Sequence, residues 1–253
     1  LYGDVYYTMA GTYYGMSAFN MPSAGFEPTA DKIGFFAHTD GAIISSLSIG
    51  NYNDVAGKTY VGNFSAVMKN TILDKIGSAS FTPFGRYSGA TYAGVIAGYA
   101  DNVTFKNGQI GTSSGSENTA QYGGIAFGYL KNSSVENIVL GGPYIGGIAG
   151  YMDNASINGV STGSGSTKQV LTSNHADSYT GAIAGYAKDS KIASLKINNT
   201  SAVSNRENSY AGLVTGKAVN SDIKAAKIHF SADVKLFGTS SKGGVVGSAE
   251  GGS

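Results

Sequence analysis

The hexapeptide Gly146-Gly147-Ile148-Ala149-Gly150-Tyr151 recurs through most of this chain. Close copies occupy 94–99, 124–129 and 181–186, and altered copies occupy 212–217 and 243–248. Two degenerate copies precede them, at 62–67 and, more loosely, at 34–38. The copies beginning at 94, 124, 146, 181, 212 and 243 are separated by 30, 22, 35, 31 and 31 residues. Self-similarity at such a period marks a repeat architecture, in which each unit buries its apolar side only against its neighbours. A chain of this kind is constrained to stack.

Within each unit the order of residue types is also constant. The glycine-flanked apolar segment comes first. A polar turn follows: Asp101-Asn102, Lys131-Asn132-Ser133, Asp153-Asn154, Lys188-Asp189-Ser190 and Asn220-Ser221-Asp222. Asn and Asp suit turns because their side chains bond nearby backbone and tolerate left-handed conformations. A second apolar segment then places residues three and two apart, as in Val135, Ile138 and Leu140, or Ile192, Leu195 and Ile197. Ile44, Leu47 and Ile49 follow the same spacing, as do Leu73 with Ile76, and Ile223, Ala226 and Ile228; Phe105 and Ile110 flank Gly108. That spacing fits neither a sustained 3.6-residue period nor strict alternation. A step of three predicts a strand that turns a corner between two inward side chains. Glycine at two of six positions opposes a helix by about 1 kcal/mol each, whereas Ile, Val, Tyr, Thr and Phe between Gly, Asn and Ser favour short strands.

The expected fold is therefore all-β, a parallel β-solenoid of about eight coils over residues 33–253, roughly 38 Å long at about 4.8 Å per coil. One position of successive units should pile into one column. Ile96, Ala126, Ile148, Ile183, Val214 and Val245 form the expected buried ladder. Gly98, Gly128, Gly150, Gly185, Gly216 and Gly247 form a column expected where backbones approach closely or turn tightly. Tyr99, Tyr129, Tyr151 and Tyr186 form an expected aromatic stripe on the opposite side, with a stacking role.

Residues 1–32 lie outside the repeat. Tyr6, Tyr7, Tyr13 and Tyr14 crowd there among glycines, as an aromatic cap or an assembly segment. Length varies in inserts at 111–121, 163–178 and 199–209, rich in Ser, Thr, Asn and Gly. Inserts of this sort are expected as loops on one face of a solenoid. The longest carries Lys168 and His175, the leading candidate interaction residues beside the N-terminal tyrosines.

These units resemble the GLUG motif, a short glycine-rich repeat of bacterial surface and secreted proteins. Its Gly-Gly-Leu-Val-Gly-type core is matched by Gly146–Gly150, Gly181–Gly185, Gly212–Gly216 and Gly243–Gly247, each followed by a turn and a β-branched strand. The resemblance covers about residues 91–250 clearly and 33–90 weakly, and it does not reach 1–30. Such repeats occur in adhesins and in the non-catalytic region of zinc peptidases that cleave immunoglobulin A. The resemblance implies an extracellular, non-enzymatic binding or spacer role.

Composition narrows the function further. Cys is absent, so disulfides and thiolate metal or redox sites are excluded, and the chain is suited to a cell-surface life. Net charge is +1 and charged residues make up 13%, without the basic clusters that nucleic acid requires. No run approaches the roughly 18 apolar residues of a membrane span. The histidines His38, His175 and His229 stand apart and none adjoins a Glu, so His-Glu-x-x-His is missing. Gly57-Lys58-Thr59 lacks the earlier glycine of a phosphate loop, and Ser164-Gly165-Ser166 has no acid–base partner pattern. Asp101, Asp153, Asp189 and Asp222 recur at turns, which points to turn chemistry.

The leading expectation is a structural or adhesive solenoid without cofactor, metal or catalytic residues, meeting itself or a host or neighbouring-cell surface. A carbohydrate-active lyase or glycosidase is the alternative, with a cleft assembled from stacked turns. A non-catalytic fragment of a secreted peptidase is the third. Asn-x-Ser/Thr sequons occur at Asn63, Asn102, Asn132, Asn154, Asn198 and Asn199, so glycosylation depends on the host. The last unit stops at Ser253 before its turn. That predicts either a longer array or an edge completed head-to-tail by the aromatic segment of another molecule.

Overall fold

The computed structural model of the chain describes residues 12–14, 30–49, 55–78, 87–88, 91–111, 120–141, 147–162, 169–173, 179–198, 200–204, 210–224, 227–229 and 241–251. The chain is all-β and forms a parallel β-solenoid, with no helix among the described residues. A coil contributes up to four short strands, each hydrogen-bonded in parallel to its counterparts in the coils on either side.

The first ladder joins Lys32–Ile33, Tyr60–Gly62, Tyr92–Gly94 and the start of Tyr122–Lys131. It resumes with Tyr179–Thr180, Tyr210–Gly212 and Ser241–Gly243. The unit beginning at Gly146 adds no described strand to it. The second ladder runs through Phe36–Asp40, Ser65–Lys69, Ala97–Asp101, the end of Tyr122–Lys131, Gly147–Asp153, Ala184–Lys188, Thr215–Val219 and Val246–Glu250. The third and fourth ladders contain the spaced apolar residues. In three coils these strands fuse across the corner, as Ser134–Gly141, Ser156–Thr162 and Lys191–Asn198.

Two corners per coil carry left-handed residues. The corner after the second strand uses Gly41, Asn70, Asn102, Asn132, Asn154, Asp189, Asn220 and Gly251, all at φ between 46° and 68°. The next corner uses Ser46, Lys75, Asn107, Asn137, Gly159 and Ser194. Left-handed backbone costs an L-residue roughly 1–2 kcal/mol, least for Gly and Asn, so the composition of the turns follows from their geometry. The step of three between Val135 and Ile138 contains Asn137, and the corner there keeps both neighbours inside.

The corners are also bonded to one another. Asn154 Nδ2 donates to Asn132 Oδ1 at 2.8 Å, Asn132 to Asp101 Oδ1 at 2.9 Å, Asn102 to Asn70 Oδ1 at 2.8 Å, and Asn70 to Asp40 Oδ1 at 2.7 Å. Just inside, Thr71, Ser133, Ser190 and Ser221 each donate a hydroxyl to the carbonyl two residues back. Ser133 and Ser190 also accept the N–H of Val103 and Ala155 from the neighbouring coil. Polar groups at a buried turn are satisfied in this way without water.

The interior is columnar. Ile96, Ile148, Ile183 and Val214 are at most 1% exposed. Ile183 N–H donates to Val214 O at 3.0 Å, and Val214 N–H to Val245 O at 2.9 Å. Val245 departs from the expected buried ladder. It is 39% exposed, because among the described residues nothing stacks on its far side. Phe105 is fully buried, and its ring takes the room that Ile76 and Ile138 fill in adjacent coils; a Cβ at Gly108 would collide with that ring.

Two features lie differently from the sequence expectation. The ladder begins before residue 33, since Lys32 pairs with Tyr60, and Thr12–Tyr14 pairs in parallel with Ile43–Ser45. The inserts are not simply loops: Gln169–Ser173 and Thr200–Ser204 pair in parallel over five residues and stack as a ladder of their own.

Candidate functional site

The second glycine column sets the shape of the outer surface. A Cβ at Gly98 would lie 2.5 Å from Val61 N, one at Gly128 would lie 2.5 Å from Ala93 N, and one at Gly150 would lie 2.4 Å from Tyr122 C. The first strand of one coil thus presses its backbone against the second strand of another. Outward side chains from these two strands converge at that crossing.

Two columns of tyrosine meet there. Tyr99, Tyr129, Tyr151 and Tyr186 occupy one register position of the second strand. Tyr60, Tyr92 and Tyr122 share one position of the first strand, and Tyr179 and Tyr210 share another pairing of the same kind. Tyr122 stacks on Tyr179 at 5.9 Å between ring centroids, so the column continues past the unit beginning at Gly146. Tyr151 and Tyr186 stack at 4.8 Å with 6° between their planes. Contacts between the columns are as close: Tyr60 to Tyr99 at 5.3 Å, Tyr92 to Tyr129 at 5.2 Å, Tyr122 to Tyr151 at 5.3 Å and Tyr179 to Tyr186 at 5.1 Å. Lys217 replaces tyrosine in the next coil. Its ammonium lies 5.3 Å from the Tyr210 ring centre and 2.6 Å from Glu250, so it ends the aromatic run with a cation on a ring face.

The phenols are half-buried and held protonated. Tyr99 donates to Asp101 Oδ2 at 3.2 Å and Tyr129 to Asp153 Oδ2 at 3.0 Å. Burial, then the Asp101 charge and hydrogen bond, push the Tyr99 phenol up to about 12. Burial and the bond to Asp153 push Tyr129 up, and burial beside Tyr186 does the same for Tyr151. Most ring faces are covered by other rings. The surface therefore offers phenol edges and hydroxyls, and not the open aromatic platforms on which sugars stack.

Two residues beyond the position of Tyr99, Tyr129, Tyr151 and Tyr186, which His38 and Val67 hold in the first two coils, lies a row of charge: Asp40, Lys69, Asp101, Lys131, Asp153 and Lys188, each facing the next in register. Signs alternate over these six coils, after which the same position holds Val219 and then Glu250. The sequence reading recognised Asp and Lys as turn residues but missed this alternation, which is visible once units are aligned on the tyrosine. It missed the first tyrosine column too, whose signal is a Tyr-x-Gly at 60, 92, 122, 179 and 210; the same pattern at Tyr144 lies outside the described residues.

Tyr6, Tyr7, Lys168 and His175 lie outside the described residues, and Tyr13 and Tyr14 enter only as backbone partners of Ile44 and Ser45. Among the described residues no group of three or more His, Asp or Glu is placed to hold a metal, and no helix is long and apolar enough to cross a membrane. Asn63 is fully buried, closing that sequon to a glycan. Asn154 uses its amide nitrogen in the corner ladder, donating to Asn132. Compared with known families, curated proteins and solved structures, the chain matches none of them.

Proposed function

We propose that this chain is a non-enzymatic, extracellular β-solenoid with a structural or adhesive role, built as a rigid rod that carries a tyrosine-and-charge face. The observation that supports this most is where its reactive side chains are used. Asp101 and Asp153 accept from Tyr99 and Tyr129, Asp101 and Asp40 accept from corner asparagines, and Asp189 and Asp222 lie beside Lys188 and Lys224. Asp40, Asp101 and Asp153 so engaged tie neighbouring coils together, Asp189 and Asp222 pair within their own turns, and neither arrangement is the facing acid and base of a glycosidase. The resemblance to GLUG repeats of surface proteins supports the same reading, as does the absence of Cys. In it, the stack comprises about eight coils. The tyrosine-rich 1–32 caps its N-terminal end, in keeping with the pairing of Thr12–Tyr14 on Ile43–Ser45.

The test is incubation of the protein with neutral and uronic-acid polysaccharides, followed by assay for new reducing ends and unsaturated products. No turnover is expected. Robust turnover that disappears on replacing Asp101 or Asp153 would overturn the proposal in favour of a carbohydrate-active enzyme.

A further inference from the structure

We infer that the tyrosine-and-charge face is a docking surface for a second copy of this chain, laid antiparallel across it. This goes beyond a structural or adhesive role and does not depend on it. The row Asp40, Lys69, Asp101, Lys131, Asp153, Lys188 alternates in sign over six successive rungs, at about 4.8 Å per rung. A row of alternating sign and even number is the opposite of its own reverse. Turning one copy about a two-fold axis parallel to the strands, between the rungs of Asp101 and Lys131, keeps each column facing itself while reversing its direction. Asp101 then faces Lys131 of the second copy, Lys69 faces Asp153 and Asp40 faces Lys188. Every acid meets a base. Parallel docking in register would set like charge against like.

The neighbouring column fits the same operation. Tyr99 comes to face Tyr129 of the second copy, and Val67, one rung earlier, faces Tyr151. Half-buried phenol edges supply apolar area with little side-chain freedom left to lose. The charges supply orientation, as complementary potentials do at interfaces. Lys69 and Lys131 form no ion pair within 4.0 Å among the described residues, so their ammonium groups are available to the second copy. An isologous contact of this kind closes on itself as a dimer and does not propagate.

Sedimentation velocity of the whole chain, from about 1 μM to about 100 μM, reads the state directly. A dimer is expected that weakens as salt is raised. Lys131→Glu places like charges across the two-fold twice, and Asp101→Lys does so with the opposite sign. Each alone should raise the dimer dissociation constant by about tenfold or more. Mixed in equal amounts they should dimerise again, because the heterodimer restores both pairs. If Asp101→Lys does not fold by circular dichroism, Asp40→Lys mixed with Lys188→Glu makes the same exchange at the ends of the row. A wild-type monomer at about 100 μM overturns the proposal. So does a dimer indifferent to both single variants, or a folded mixed pair that fails to reassociate.

Discussion

Gly128→Ala isolates the close approach on which the outer surface depends. A Cβ there would lie 2.5 Å from Ala93 N, 2.6 Å from Gly98 O and 2.7 Å from Tyr92 C. All three are backbone atoms in the neighbouring coil, so no rotamer change removes the collision. Reaching the 3.4 Å of ordinary contact needs roughly 0.9 Å of strand movement. Strand spacing is set by the parallel ladder, and that shift would loosen about two hydrogen bonds at about 1 kcal/mol each. Overpacking adds about 1–3 kcal/mol, so the expected loss is about 3–5 kcal/mol. Gly41→Ala is the control: it sits at φ +68° with nothing within 4 Å of the added carbon, and only left-handed strain of about 1 kcal/mol applies. Urea unfolding followed by far-UV dichroism measures both, with the slope checked for constancy. If Gly128→Ala cost no more than Gly41→Ala, the glycine column would not be explained by backbone contact, and the crossing that gathers the tyrosines would lose its basis.

Three further outcomes are expected. Ile148→Asp puts an unpaired charge at a fully buried ladder position and should cost about 4 kcal/mol or more; thermal melting checks it, and a melt within a few degrees of wild type would place Ile148 outside the core. Lys75→Asn should stabilise by about 1 kcal/mol, since Lys75 holds φ +56° where Asn is at ease and can join the corner ladder; an unchanged urea midpoint counts against strain at that corner. Burial and the neighbouring Asp101 push the Tyr99 phenol from the ordinary tyrosine value near 10 up to about 12, so its contribution to stability is fully present below about pH 10 and is lost as the pH rises through about 12. Alkaline unfolding should therefore steepen in that window, and Tyr99→Phe should flatten it; an equally steep curve for the variant would assign the loss to other groups.

The tyrosine surface was half legible in sequence because its two columns are encoded differently. The column at 99, 129, 151 and 186 ends the repeated hexapeptide, so any alignment of units shows it. The column at 60, 92, 122, 179 and 210 lies two residues before the glycine that opens the motif, and nothing local says that its rings turn towards the first column. The charge row is similar. Each Asp or Lys reads as a turn residue in its own unit, and only stacking makes neighbours of residues 22 to 35 positions apart.

What the amino-acid sequence determined by itself is the periodic part of the molecule. In a stack every residue has its own repeat as neighbour, so identity at a fixed period already states which side chains touch along the axis. The step of three with Asn, Ser or Lys inside it likewise encodes a corner, because left-handed backbone has its own composition. What only the tertiary structure decided is everything across the axis. The angle at which glycine lets two strands cross brings one tyrosine column against the other. Tyr122 stacks directly on Tyr179 across the unit beginning at Gly146, and paired inserts form a ladder of their own at 169–173 and 200–204. These arrangements depend on how one strand leans on another within the coil, a relation between non-equivalent positions that no period in the sequence records.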